Sequence, residues 1–86
     1  MKLKNLRKKI DSLDSKIVEL LNQRAGLSLL IGKLKAKENK GVYSPEREKQ
    51  VLKRISKISK GPLSRSAIDA IYREVMSASL SLEKPL

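Results

Sequence analysis

Apolar residues recur through the first third of the chain at Leu3, Leu6, Ile10, Leu13, Ile17, Leu20, Leu27, Ile31 and Leu34. This alternation of three and four residues is kept over about four heptads and predicts one long amphipathic helix, roughly Leu3 to Lys37. Gly26 and Gly32 each weaken a helix by about 1 kcal/mol relative to Ala, and a break at either is the competing expectation. The register runs unshifted through both, which favours continuity. Glu38 to Tyr43 is polar, contains Gly41 and reads as a loop. Ser44-Pro45-Glu46 then reads as a helix start, with Ser as N-cap, Pro at the first helical position and Glu facing the positive end of the dipole. The second helix carries Val51, Leu52, Ile55 and Ile58 to about Ser59, and Gly61-Pro62 is a stop signal. Ser64 is placed to cap a third helix running through Ile68, Ile71, Tyr72, Val75, Met76 and Leu80 to about Glu83. The expectation is an all-α fold in which residues 1–86 form one domain of three helices, roughly 3–37, 45–59 and 64–83.

At about 1.5 Å per residue the first helix is about 52 Å long. A compact chain of 86 residues has a radius of gyration of about 12 Å, a globule roughly 30 Å across. The helix therefore overhangs its own domain. Its apolar stripe must be buried against a second copy, or else the chain is a plain coiled coil.

The pattern has a defect where chemistry enters. Between Leu20 and Leu27 the apolar position is taken by Arg24, and an unpaired guanidinium in a desolvated seam costs several kcal/mol. A carboxylate on a partner helix, the solvated edge of the seam, or a ligand carboxylate each answers that cost. Lys35 lies eleven residues further on, about 20° off the same face and about 16 Å along the axis. It is placed either to lean towards the same small anion or to sit in solvent with Lys33 and Lys37. Arg7 precedes Arg24 by seventeen residues, about 25 Å, so within one chain the two do not share a small ligand. On the third helix the stripe Ile68, Tyr72, Val75 leads on to Ser79 and Glu83, so its inward face either frays into solvent or becomes polar where it is buried.

Composition narrows the chemistry. There is no Cys and no His, which excludes thiolate nucleophiles, disulfides, imidazole bases and the usual zinc sites. The basic opening Met1–Lys9 is followed by Ile10-Asp11-Ser12-Leu13-Asp14 rather than an apolar run, so it is not read as a signal peptide, and no stretch suits a membrane span. A cytoplasmic protein is expected. Twenty basic against nine acidic residues give a net charge of +11, which points to an anionic partner without choosing among nucleic acid, a membrane surface and an acidic metabolite.

Four runs arrive together in a specific order and spacing: Leu6-Arg7-Lys8-Lys9-Ile10-Asp11-Ser12-Leu13-Asp14, Leu20-Leu21-Asn22-Gln23-Arg24, Ile31-Gly32-Lys33-Leu34-Lys35, and Val42-Tyr43-Ser44-Pro45-Glu46-Arg47-Glu48. As a set they resemble the all-helical chorismate mutase family over nearly the whole chain. The closing Ile71-Tyr72-Arg73-Glu74-Val75-Met76-Ser77-Ala78-Ser79-Leu80-Ser81-Leu82-Glu83 is similar to the third helix of mutase domains fused to prephenate dehydratase. The chain stops where such fusions continue, as an excised or naturally detached domain would.

The resemblance implies two interlocked three-helix chains with two active sites that convert chorismate to prephenate, an intramolecular Claisen rearrangement, with no cofactor and no metal. It implies that Arg24 and Arg7 of the partner subunit hold the substrate carboxylates, and that Lys35 binds a carboxylate and the ether oxygen. Glu48 would bind the ring hydroxyl, Ser79 a carboxylate, and Arg47 would support or touch the bound acid. Ile31, Val51 and Met76 would line apolar walls. At Glu83 the family carries Gln or Glu, and only a protonated Glu donates a hydrogen bond to the ether oxygen, so turnover is expected to decline as pH rises. Ser44 stands where the family loop often has Asp. Three other readings compete: a lyase on the same fold that removes pyruvate from isochorismate, an inactive helical adaptor, and a basic coiled coil binding nucleic acid. Against the last stand the near absence of aromatic residues for stacking and the cations on the seam face. The expected partners are the dianionic substrate and a second copy of the chain, with neither nucleic acid nor membrane.

Overall fold

The computed structural model describes residues 2–83. The chain folds as α1 (Leu3–Lys37), α2 (Pro45–Ile58) and α3 (Arg65–Glu83), so both glycines of the first helix lie inside one unbroken element. Ser59, read as the approximate end of the second helix, lies just outside α2, and Ser64 precedes α3 as its expected cap.

Local chemistry fixes each boundary. Glu38 ends α1, and Asn39 follows at φ 56, the left-handed region that Asn tolerates better than most residues. The Asn39 N–H donates to the Ala36 carbonyl at 3.2 Å and the Lys40 N–H to the Lys35 carbonyl at 2.8 Å, which satisfies two of the helix's orphan acceptors in a Schellman turn. The Ser44 hydroxyl accepts from the Arg47 N–H at 3.2 Å, with Pro45 in the first turn. The Ser64 hydroxyl accepts from the Ala67 N–H at 3.1 Å, while Gly61 supplies a φ of 82 in the preceding turn.

α3 is the middle element, packed against both α1 and α2. Val51 and Ile55, 2% and 4% exposed, are the buried apolar residues of α2. Their row continues by four residues to the half-buried Ser59, and so Ile58, expected on the apolar face, is 59% exposed. On α1 the buried positions facing inward are small, Ser28 and Gly32, flanked by half-buried Arg24, Ala25 and Lys35. That row advances by four, whereas the apolar stripe follows the 3.5-residue heptad. With Lys35 included the inward row keeps close to the helix's own 3.6-residue period, from which a heptad stripe drifts by about 20° per heptad, and α3 sits on the inward row.

The stripe itself is uncovered. Leu3, Leu6, Ile10, Leu13, Ile17 and Leu20 are between 40% and 62% exposed, and residues 2–23 are exposed throughout. The molecule measures 55 × 23 × 16 Å with a radius of gyration of 16.0 Å, well above the roughly 12 Å of a compact chain this long. The first half of α1 projects past the body formed by its second half, α2 and α3.

Candidate active site

The inward row of α1 meets the polar end of α3. Arg24, half-buried, donates from Nη1 to the Ser79 hydroxyl at 2.7 Å, and Ser79, 7% exposed, donates onward to the Val75 carbonyl at 2.9 Å. The inward face of α3 therefore turns polar where it is buried, with Ser79 facing a guanidinium. Among the described residues no carboxylate pairs with Arg24. Its side-chain partner there is a neutral hydroxyl, which leaves donors and positive charge for an anion.

About one turn beyond Gly32, a second polar group closes the row. Lys35 Nζ donates to the Val42 carbonyl at 2.7 Å and lies 3.4 Å from Glu83 Oε1. The Schellman turn at Asn39 reverses the chain, and the loop it starts carries the Val42 carbonyl back over Lys35. The side chain is thus tied to the loop on one side and to α3 on the other. Glu83 Oε1 is buried and has no hydrogen-bond partner. Such an orphan acceptor costs stability and commonly marks a working site.

These pairs stand in one cleft of about 260 Å³. From α1 it is lined by Arg24, Leu27, Ser28, Ile31 and Lys35; from the loop and α2 by Val42, Tyr43, Ser44, Arg47, Glu48 and Val51; and from α3 by Met76, Ser79, Leu80 and Glu83. Every residue nominated from the sequence is in this cleft except Arg7, which is exposed on the projecting half of α1, about 25 Å along the helix from Arg24. The nomination missed Ser28, which has no hydrophobic or charge signal, and the Val42 carbonyl, a backbone atom that no side-chain pattern reports. Ser44 lines the cleft while its hydroxyl caps α2.

Three cations (Arg24, Lys35, Arg47) and two acids (Glu48, Glu83) share the cleft with apolar walls from Leu27, Ile31, Val51, Met76 and Leu80. Such a mixture suits a small acid with an apolar body, gripped at its carboxylates and positioned by a few hydrogen bonds. Among the described residues no group of three His, Cys, Asp or Glu is gathered to hold a metal ion, and no helix is long and apolar enough to cross a membrane.

Fold and site together define an all-helical protein whose three helices enclose a cleft that gathers cations, acids and apolar walls. The chain belongs to the chorismate mutase type II family, whose model matches residues 6–84. It is 44% identical to the bifunctional chorismate mutase/prephenate dehydratase of Aquifex aeolicus over 88 residues, 98% of this chain and 24% of that protein. The chain thus spans about a quarter of the length of the bifunctional relatives it matches. Among solved structures, chorismate mutase (Form II) from Thermus thermophilus superposes with a TM-score of 0.94 at 31% identity, covering 96% of this chain and 94% of that one. Chorismate mutase from Helicobacter pylori in complex with prephenate gives a TM-score of 0.85 at 33% identity, covering 94% and 88%.

Proposed function

We propose that this chain is a chorismate mutase that rearranges chorismate to prephenate as an intertwined homodimer acting in the cytoplasm, with residues 1–86 as the mutase domain. The observation that carries the reading is the pairing of two cations of one helix face with two polar groups of α3 inside a single cleft: Arg24 with Ser79 at 2.7 Å and Lys35 with Glu83 at 3.4 Å.

In the reaction one C–O bond breaks as one C–C bond forms within the same molecule, so no group is transferred to the protein. The enzyme's tasks are to hold a flexible dianion in the compact shape that reacts and to stabilise negative charge growing on the ether oxygen. Arg24 and Ser79 grip one carboxylate, and Arg7 of the partner subunit grips the other, as guanidinium forks do well. Lys35, held by the Val42 carbonyl, binds a carboxylate and the ether oxygen. Glu83, when protonated, donates to that oxygen from the side of α3. Glu48 accepts from the ring hydroxyl, Arg47 supports the bound acid at the rim, and Ile31, Val51 and Met76 press on the ring. Ser44 shapes the mouth of the cleft through its cap.

The dimer reading is supported by the bare stripe from Leu3 to Leu20. An apolar surface that long is rarely left open on a monomer, and an antiparallel partner helix would bring its Arg7 towards a cleft that Arg7 of the same chain does not reach. The nearest competing activity is removal of pyruvate from isochorismate. Purified protein is expected to consume chorismate and yield prephenate by NMR, with no pyruvate released from isochorismate. Pyruvate release together with inert chorismate would assign the lyase instead.

A further inference from the structure

α3 lies against the backbone of α1 where Gly32 faces Glu83. A Cβ built on Gly32 would lie 2.7 Å from Glu83 Cα and 2.8 Å from Glu83 O, against 3.4–4 Å for ordinary contact. Both atoms are backbone, so no side chain can swing aside to make room, and the last turn of α3 would have to move. Gly26, on the same helix, has nothing within 4 Å of such a Cβ. Glycine is a poor helix former at either position, but only at Gly32 does its missing side chain make room for another element.

We propose that Gly32 is a positioning residue for Glu83: it lets the end of α3 lie directly on α1 and so holds the Glu83 carboxyl over Lys35. The proposal rests on the mutase reading of the cleft. Its force comes from how little else aims that carboxyl. Glu83 Oε1 is buried with no hydrogen-bond partner, and its one charged neighbour among the described residues is Lys35 Nζ at 3.4 Å. The position of the carboxyl therefore follows the backbone beneath it, and a misplacement of about 1 Å can cost on the order of a hundredfold in rate.

The test is a double-mutant cycle in the full chain. Gly32→Ala is expected to lower kcat by about tenfold or more with KM changed by less than about threefold, since the ether-oxygen contact acts in the transition state. In a Glu83→Ala background the same substitution should cost less than about twofold, because the group it displaces is already gone. Gly26→Ala should leave kcat as it is. Wild-type kcat in Gly32→Ala, or losses that multiply in the double variant, would overturn the proposal. If the wild type turns over no chorismate, the mutase reading fails, and the contact is read by hydrogen exchange instead. The amides of Ser81 to Glu83 should then exchange about tenfold faster in Gly32→Ala than in Gly26→Ala, and equal rates would overturn the proposal on its own terms.

Discussion

In the proposed site a hydrogen-bond donor at position 83 stabilises charge growing on the ether oxygen, and the amide of a Gln there donates in the same way. Glu83→Gln should therefore keep turnover while Glu83→Ala lowers kcat by about a hundredfold; equal losses in the two variants would remove Glu83 from this role. The residues of the site were legible to different degrees. Arg24 stood out because a cation interrupts an apolar row, and a buried cation demands an answer. Ser79 and Glu83 were ambiguous, since a polar helix end also suits fraying, and only the 2.7 Å bond from Arg24 to a 7% exposed Ser79 decides it. Lys35 is indistinguishable by pattern from Lys33 and Lys37; what distinguishes it is the Val42 carbonyl at 2.7 Å, which depends on how the loop folds back. Ser28 and Gly32 gave no signal, because small residues mark close packing only once the neighbouring element is known.

The three helices were legible because their ends are chemically explicit. Ser44 and Ser64 each accept an N–H of the first turn, and Asn39 and Gly61 supply the positive φ values that end or turn the chain. Removing the Ser64 hydroxyl tests that account away from the site. Ser64→Ala should lower stability by about 1 kcal/mol in urea unfolding at a fixed protomer concentration, with turnover unchanged. A loss below a few tenths of a kcal/mol would mean that the bond from Ala67 is not a stabilising cap. What the periodicity did not reveal is which face of α1 meets α3. The heptad stripe drew attention to Leu20, Leu27 and Leu34, each more than half exposed, whereas α3 packs on the row through Arg24, Ser28 and Gly32. One helix thus offers two faces: one through Arg24, Ser28 and Gly32 that builds the cleft with Leu27 and Ile31 beside it, and an apolar one from Leu3 to Leu20 left for another surface.

At the scale of the molecule, a 55 Å long body built on one helix places Arg7 far from its own Arg24, so the proposed site is complete only across a dimer. If that is so, Arg7→Ala and Arg24→Ala are each nearly inactive alone. Unfolded and refolded together in equal amounts they should recover about a quarter of wild-type activity, since about half the dimers are mixed and each mixed dimer carries one intact site. No recovery would place Arg7 outside the site. The net charge of +11 would favour arrival of a dianion at each proposed site. The most direct test is the loss of chorismate absorbance with purified wild type and Arg24→Ala side by side, both checked as dimers. Turnover by the wild type and a fall of at least about a hundredfold in kcat/KM in the variant are expected; a folded wild-type dimer that leaves chorismate untouched, or a variant as active as the wild type, would contradict the mutase assignment.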